Sequence, residues 1–148
     1  PLEKAVAISN ELMKEIDADY IFIGTVSEKI FTDEIISRLE NKGQIINLCG
    51  KTSLKELAAV FQNADLAIST DSGTAHLANA LSTKTIVFFG AGDDAITSPV
   101  NKTFLNVIRS DAWCQRCVSN TCKLGTQICL TELKEDIIVQ AAKKLTAH

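Results

Sequence analysis

The chain has 148 residues, 46% hydrophobic and 22% charged, a balance that suits one soluble globular domain with room for a core. Seven glycines and two prolines exclude a collagenous or linker-like chain, and a formal net charge of −3 argues against a broad surface for DNA or RNA. No apolar run approaches the roughly 20 residues of a membrane helix, and Pro1-Leu2-Glu3-Lys4 does not have the layout of a signal peptide. Without an initiator methionine, and opening directly in a helical pattern, the sequence reads as a piece of a longer protein.

Ala5, Ile8, Leu12 and Ile16 recur at helical spacing and predict an amphipathic helix from Leu2 to about Ile16. Tyr20-Ile21-Phe22-Ile23, closed by Gly24, is a strand signal. Phe31, Ile35 and Leu39 mark a second helix ending near Asn41-Lys42-Gly43. Ile45 to Leu48 reads as a second strand. Ser53-Leu54-Lys55-Glu56 spells a capping box, with Leu54, Leu57, Ala58 and Phe61 expected on the buried face of the helix that follows. Leu66-Ala67-Ile68 is a third strand, Thr74 to about Leu81 a helix, Thr85 to Phe89 a fourth strand and Phe104 to Ile108 a fifth. A closing helix spans about Leu133 to Leu145. Apolar strands alternating with helices predict an α/β, doubly wound, Rossmann-like parallel sheet, with residues 1–148 as one domain. Ligands in such folds sit at the carboxyl ends of strands, here just after Ile23, Leu48, Ser69 and Phe89.

Ser69-Thr70-Asp71-Ser72-Gly73-Thr74-Ala75-His76 joins a strand end to a helix start. Small residues allow close approach to the backbone. First-turn N–H groups have no intrahelical partner, and the helix dipole favours an anion, so a diphosphate is the natural guest. Asp71 would repel phosphate and suits sugar hydroxyls instead. His76 lies in the first helical turns beside the same place. An equally weighted account has Asp71 or Ser72 merely capping the helix and His76 packing against the core.

Asp71-Ser72-Gly73-Thr74-Ala75-His76-Leu77-Ala78, preceded by Ala64 to Ile68 and followed by Thr85 to Gly90, resembles the signature of the bacterial heptosyltransferase family. So does Asn47-Leu48-Cys49-Gly50-Lys51-Thr52-Ser53-Leu54-Lys55-Glu56-Leu57. The resemblance covers nearly the whole chain, but only the second half of a family member. It implies the C-terminal, donor-binding half of a GT-B glycosyltransferase that transfers a heptose or related sugar to a lipopolysaccharide-type or other acceptor. Backbone N–H groups of Ser72 and Gly73 would hold the diphosphate, with Thr74 and His76 beside them. Asp71 would bind donor-sugar hydroxyls, Glu28 the ribose and Thr52 the base. For Glu28 a first-turn helix charge, and for Thr52 a plain helix entry, serve as well. The resemblance also implies an inverting, cytoplasmic enzyme at the inner face of the inner membrane. It would take an ADP-heptose-like nucleotide-diphosphate sugar and need no cofactor for transfer. Its acceptor domain and catalytic base would lie outside this chain. Gly90-Ala91-Gly92-Asp93-Asp94 departs from the family's G-P-T-D-P, so the loop near the sugar is expected to differ.

Cys114-x2-Cys117-x4-Cys122-x6-Cys129 places four thiols in a cysteine-rich loop at 113–130. Four thiolates can close a tetrahedral, structural zinc or iron site, with two disulfides or four free thiols as the alternatives. Few large apolar residues separate Cys117 from Leu130, so the loop is expected to need a staple. Cys49 reads as buried and inert, and Trp113 as packing. Gly90-Ala91-Gly92-Asp93-Asp94-Ala95 also matches a dinucleotide-binding motif, with Asp111 as its ribose acid. Two aspartates at the phosphate position and Pro99 soon after argue against it. Two other functions stand beside glycosyl transfer: a non-catalytic metal- or thiol-sensing domain, and a nicotinamide-dinucleotide enzyme.

Overall fold

The computed structural model describes residues 1–41 and 45–147. They group into two compact units, Pro1–Leu57 and Ala58–His148.

In the first unit, α1 (Leu2–Glu15) buries Ile8 and Leu12, with Glu3 in its first turn and Lys14 in its last, as the helix dipole favours. α1 packs on α2 (Lys29–Ser37), which buries Thr32 and Ile35. Arg38 ties the pair together by ion pairs to Glu3 and Glu34, each at 2.6 Å. Leu39 is buried just beyond α2, whereas Phe31 is half exposed despite its helical spacing. The predicted helix end at Lys42 and Gly43 lies outside the described residues. β1 (Tyr20–Phe22) pairs in parallel with β2 (Ile45–Asn47), Tyr20 opposite Ile45. The Tyr20 hydroxyl lies 2.9 Å from the carbonyls of Leu12 and Ile16, anchoring the strand entry to the end of α1.

α3 (Leu54–Gln62) follows the capping box read in the sequence. Glu56 Oε2 accepts from the Ser53 amide and hydroxyl at 2.7 Å, and Ser53 Oγ accepts from the Glu56 amide at 3.4 Å. These contacts hold the Glu56 carboxyl below its ordinary range. The expected buried face needs one correction. Phe61 is buried, but Leu54 is 72% exposed, because it sits in the first turn immediately after the cap.

In the second unit, β3 (Ala67–Thr70), β4 (Thr85–Phe88) and β5 (Leu105–Ile108) run in parallel in that order. Ala67 faces Thr85, and Thr85 faces Leu105. β4 is the centre and all four of its residues are buried, which explains its unbroken apolar reading. α4 (Gly73–Ala80) crosses from β3 to β4 and ends at Ser82 in a left-handed conformation, φ +64°. Ala75, Val87 and Phe89 form a core cluster, with Leu105 and Val107 against it. Buried Asn79 donates to the Asn101 carbonyl and accepts from the Asn101 amide, both at 2.9 Å, fixing the approach to β5. Short helices α5 (Asp94–Thr97) and α6 (Ile128–Thr131) were not legible as helices. α7 (Glu135–Thr146) starts two residues later than predicted, with acids in its first turn and lysines in its last. The chain is thus α/β and parallel throughout, and among the described residues its strands form one parallel sheet in each unit.

Candidate functional site

The end of β3 opens directly into α4 through Asp71 and Ser72. Ser72 is the N-cap residue in extended conformation, and its side chain makes no capping hydrogen bond. Its hydroxyl is engaged elsewhere: Ser72 Oγ lies 2.9 Å from Ser69 Oγ and 2.8 Å from Thr74 Oγ1. The first-turn amides of an eight-residue helix are therefore left to an external acceptor. A Cβ placed on Gly73 would meet nothing within 4 Å, so the backbone here is open to approach. The account in which Ser72 serves only as a cap does not survive this geometry.

Asp71 is exposed, and its Oδ2 accepts from Thr97 Oγ1 at 3.1 Å. Its carboxylate makes no contact of the N-cap kind and points to the loop after β4. His76 is exposed, which does not fit the alternative in which it only packs against the core. It stands on the second half of the first turn, available to solvent.

The loop after β4 is held by a largely enclosed cation. The Arg109 side chain is 12% exposed and follows β5 directly. Its guanidinium lies over the Phe89 ring at 5.3 Å and donates to the carbonyls of Gly90 at 3.3 Å and Gly92 at 2.6 Å. Nε donates to Asp94 Oδ1 at 2.7 Å, and Arg116 reaches the same oxygen at 3.0 Å. Burial pushes the Asp94 carboxyl up, but hydrogen bonds from Arg109 and Arg116 outweigh it and hold the group below its ordinary range. Asp93 caps α5 by accepting from the Ala95 amide at 3.1 Å. The glycine motif at 90–95 thus leads into a four-residue helix whose N-cap Asp93 and first residue Asp94 are both carboxylates, which is unsuited to a pyrophosphate. Asp111 is exposed, with Lys134 at 3.7 Å.

In the first unit, Glu28 closes a capping box. Its Oε2 accepts from the Thr25 amide at 2.7 Å and the Thr25 hydroxyl at 2.8 Å. These two bonds hold its carboxyl below the ordinary range. The first-turn role foreseen for Glu28 is therefore real. Thr52 is half-buried, directly before the cap of α3. The recess lined by Met13, Lys14, Asp17, Tyr20, Asn41 and Ile45 lies at the amino ends of β1 and β2, the opposite end from where such folds place ligands.

The cysteines of the loop are not drawn together as a ligand set in this structure. A closed zinc site needs thiolates about 2.3 Å from one point. Among the described residues no three Cys, His, Asp or Glu side chains are gathered closely enough to hold an ion. Cys114, Cys117, Cys122 and Cys129 are all free thiols. Cys117 is exposed, and Cys122 Sγ accepts from the Gln127 amide at 3.4 Å. Backbone donors from Gln127, then Leu124, Thr126 and Gly125, outweigh desolvation and pull the Cys122 thiol down. Cys129 packs toward Gly90. Burial, then the neighbouring thiols Cys114, Cys117 and Cys122, push it up. The loop is shaped by left-handed turns at Arg116, Val118, Gly125 and Gln127 and by the Val118 amide donating to the Ala91 carbonyl at 2.8 Å. Trp113 is 80% exposed, not packed, while Cys49 is buried with its Sγ 3.3 Å from Thr32 Oγ1.

The junction of β3 and α4 is thus a Rossmann-like strand-to-helix turn at the carboxyl end of a parallel sheet, the place where such folds bind ligands. The profile of glycosyltransferase family 9 (heptosyltransferase) matches residues 12–128, and the chain belongs to that family. It is 31% identical over 127 residues to lipooligosaccharide heptosyltransferase 2 of Campylobacter jejuni subsp. jejuni, covering 85% of this chain and 40% of that protein. It is 29% identical over 148 residues to lipopolysaccharide heptosyltransferase 1 of Campylobacter coli, covering 98% and 42%. The chain thus spans about two fifths of the length of these curated relatives. Its fold is that of the Escherichia coli ADP-heptose lps heptosyltransferase II structure, with a TM-score of 0.80 at 18% identity, covering 99% of this chain and 41% of that one. The glycosyl transferase family 9 structure from Veillonella parvula gives a TM-score of 0.76 at 19% identity.

Proposed function

We propose that the chain is the nucleotide-sugar donor-binding part of a heptosyltransferase, accepting an ADP-heptose-like donor. One observation carries the reading most: the α4 amides stand uncapped beside an open Gly73, at the carboxyl end of β3. In transfer, an acceptor hydroxyl oxygen would attack the anomeric carbon as the bond from that carbon to the diphosphate oxygen breaks. The bonding pair leaves with the diphosphate, and the acceptor proton goes to a base outside this chain. The amides of Ser72 and Gly73, aided by the helix dipole, would stabilise the charge that grows on the leaving group. Asp71 would accept from hydroxyls of the donor sugar. Thr74 and His76 flank the diphosphate in this reading, and the resemblance gives Glu28 the ribose and Thr52 the base. Thr25 already occupies Oε2 of Glu28, so a ribose would use the other carboxylate oxygen or displace Thr25. Acceptor recognition and the setting at the inner face of the inner membrane belong to the same proposal. No helix among the described residues is long and apolar enough to cross a membrane.

Amide NMR titration of the chain with ADP-heptose, ADP and UDP-glucose tests it. Shifts at Ser72 and Gly73 with ADP-heptose and ADP are expected. Absence of any response there, with both adenine compounds at millimolar concentration, would overturn the proposal.

A further inference from the structure

Asp71 is not a free-standing carboxylate. Thr97, the last residue of α5, donates to its Oδ2 at 3.1 Å. The same hydroxyl lies 3.1 Å from the Asp93 carbonyl, and its single hydrogen can serve one acceptor at a time. On the other side stands Gly92. A Cβ at Gly92 would come within 2.5 Å of Asp71 Oδ2 and 3.4 Å of the Phe89 ring. That carboxylate oxygen occupies the space a side chain at position 92 would fill. Gly92 is itself fixed, because its carbonyl receives the 2.6 Å bond from Arg109, whose guanidinium is clamped between Asp94 and Phe89.

We infer that Thr97 and Gly92 are positioning residues for donor-sugar recognition: the loop after β4, locked by Arg109, sets the direction in which Asp71 presents its carboxylate. This rests on the reading in which Asp71 binds sugar hydroxyls. Thr97 takes one oxygen by hydrogen bonding, Gly92 makes room for it, and the second oxygen is left to the sugar. The loop therefore acts on the sugar end of the donor, through Asp71.

The test uses Thr97→Val, which keeps shape and removes the donor, Thr97→Ser, which restores it, and Gly92→Ala. Thr97 is exposed and Gly92 half-exposed, so folding of the variants is checked by their amide spectra. Two quantities are read: the side-chain rotamer population of Asp71 from NMR couplings without ligand, and the ratio of dissociation constants for ADP and ADP-heptose by calorimetry. Thr97→Val and Gly92→Ala should spread Asp71 over several rotamers and lower the preference for ADP-heptose by about three- to tenfold, as for loss of one well-placed polar contact. ADP affinity should stay unchanged, and Thr97→Ser should behave as the parent chain. An unchanged Asp71 rotamer, or a parent-like preference in Thr97→Val, would overturn the inference. If the parent chain itself binds ADP and ADP-heptose equally, the sugar-binding role of Asp71 falls instead, and the inference with it.

Discussion

Replacing Asp71 by alanine separates sugar recognition from helix capping. The side chain is exposed, and in the folded chain its carboxylate accepts from the exposed Thr97 hydroxyl. It does not cap α4, whose N-cap is Ser72. An exposed hydrogen bond of this kind contributes about 0.5–1 kcal/mol, and changes at such surface sites are usually within about 0.5 kcal/mol. For a domain of this size that shifts the midpoint of thermal unfolding by no more than about 4 °C. Loss of a charged acceptor from sugar hydroxyls is worth about 1.5–3 kcal/mol, roughly 10- to 150-fold in affinity. ADP should bind as well as before, or slightly better, because a negative charge near the diphosphate has gone. Thermal unfolding and calorimetric titration with ADP-heptose and ADP measure both sides. A fall of 8 °C or more, or equal weakening toward ADP and ADP-heptose, refutes the reasoning, since either would make Asp71 a structural or phosphate-side group. Asp71→Asn, which keeps an acceptor for Thr97, should lie between the two.

Three other outcomes are expected. Ile86 is wholly buried at the centre of β4, so Ile86→Ala should cost about 2–5 kcal/mol in urea unfolding, and a cost below about 1 kcal/mol would mean the core is not packed as described. Because the folded Asp94 carboxyl is held low, its ionised form stabilises the chain above the ordinary carboxylate range, near pH 4, and that contribution fades as pH falls through the lower folded value. Asp94→Asn should therefore be less stable than the parent at pH 7 and lose most of that deficit in strong acid; a deficit independent of pH contradicts the clamp. In the loop, backbone donors lower the Cys122 thiol and burial raises Cys129, so iodoacetamide at neutral pH should label Cys122 well before Cys129 in peptide mass mapping. Protection of all four loop thiols by one equivalent of zinc would instead show a regrouping into a ligand set.

The fold was legible where burial is two-sided. β4 is buried along its length and reads as Thr-Ile-Val-Phe, and the capping box of α3 is spelled out by Ser53 and Glu56. The bare helix start was legible because strand, small residues and helix follow one another in sequence. Leu54 and Phe31 misled because helical spacing fixes a direction on the helix without saying whether anything covers it. Thr97 and Gly92 were missed because their partner Asp71 is more than twenty residues away and no spacing joins them. A weak signal existed in Arg109, a cation directly after an apolar strand, which must find carbonyls and a carboxylate when buried. The four cysteines share one loop in sequence, but nothing in their spacing indicated that Cys122 Sγ accepts from a backbone amide or that Cys129 lies toward Gly90.

The hydroxyl trio of Ser69, Ser72 and Thr74 satisfies itself and so withholds its oxygens from the helix it precedes. A stronger stopper was available to this position. Aspartate at 72 would serve the waiting amides, gaining about 1 kcal/mol of robustness while turning anions away. In the serine form, α4 stays less well sealed and ready for a visitor that brings its own negative charge.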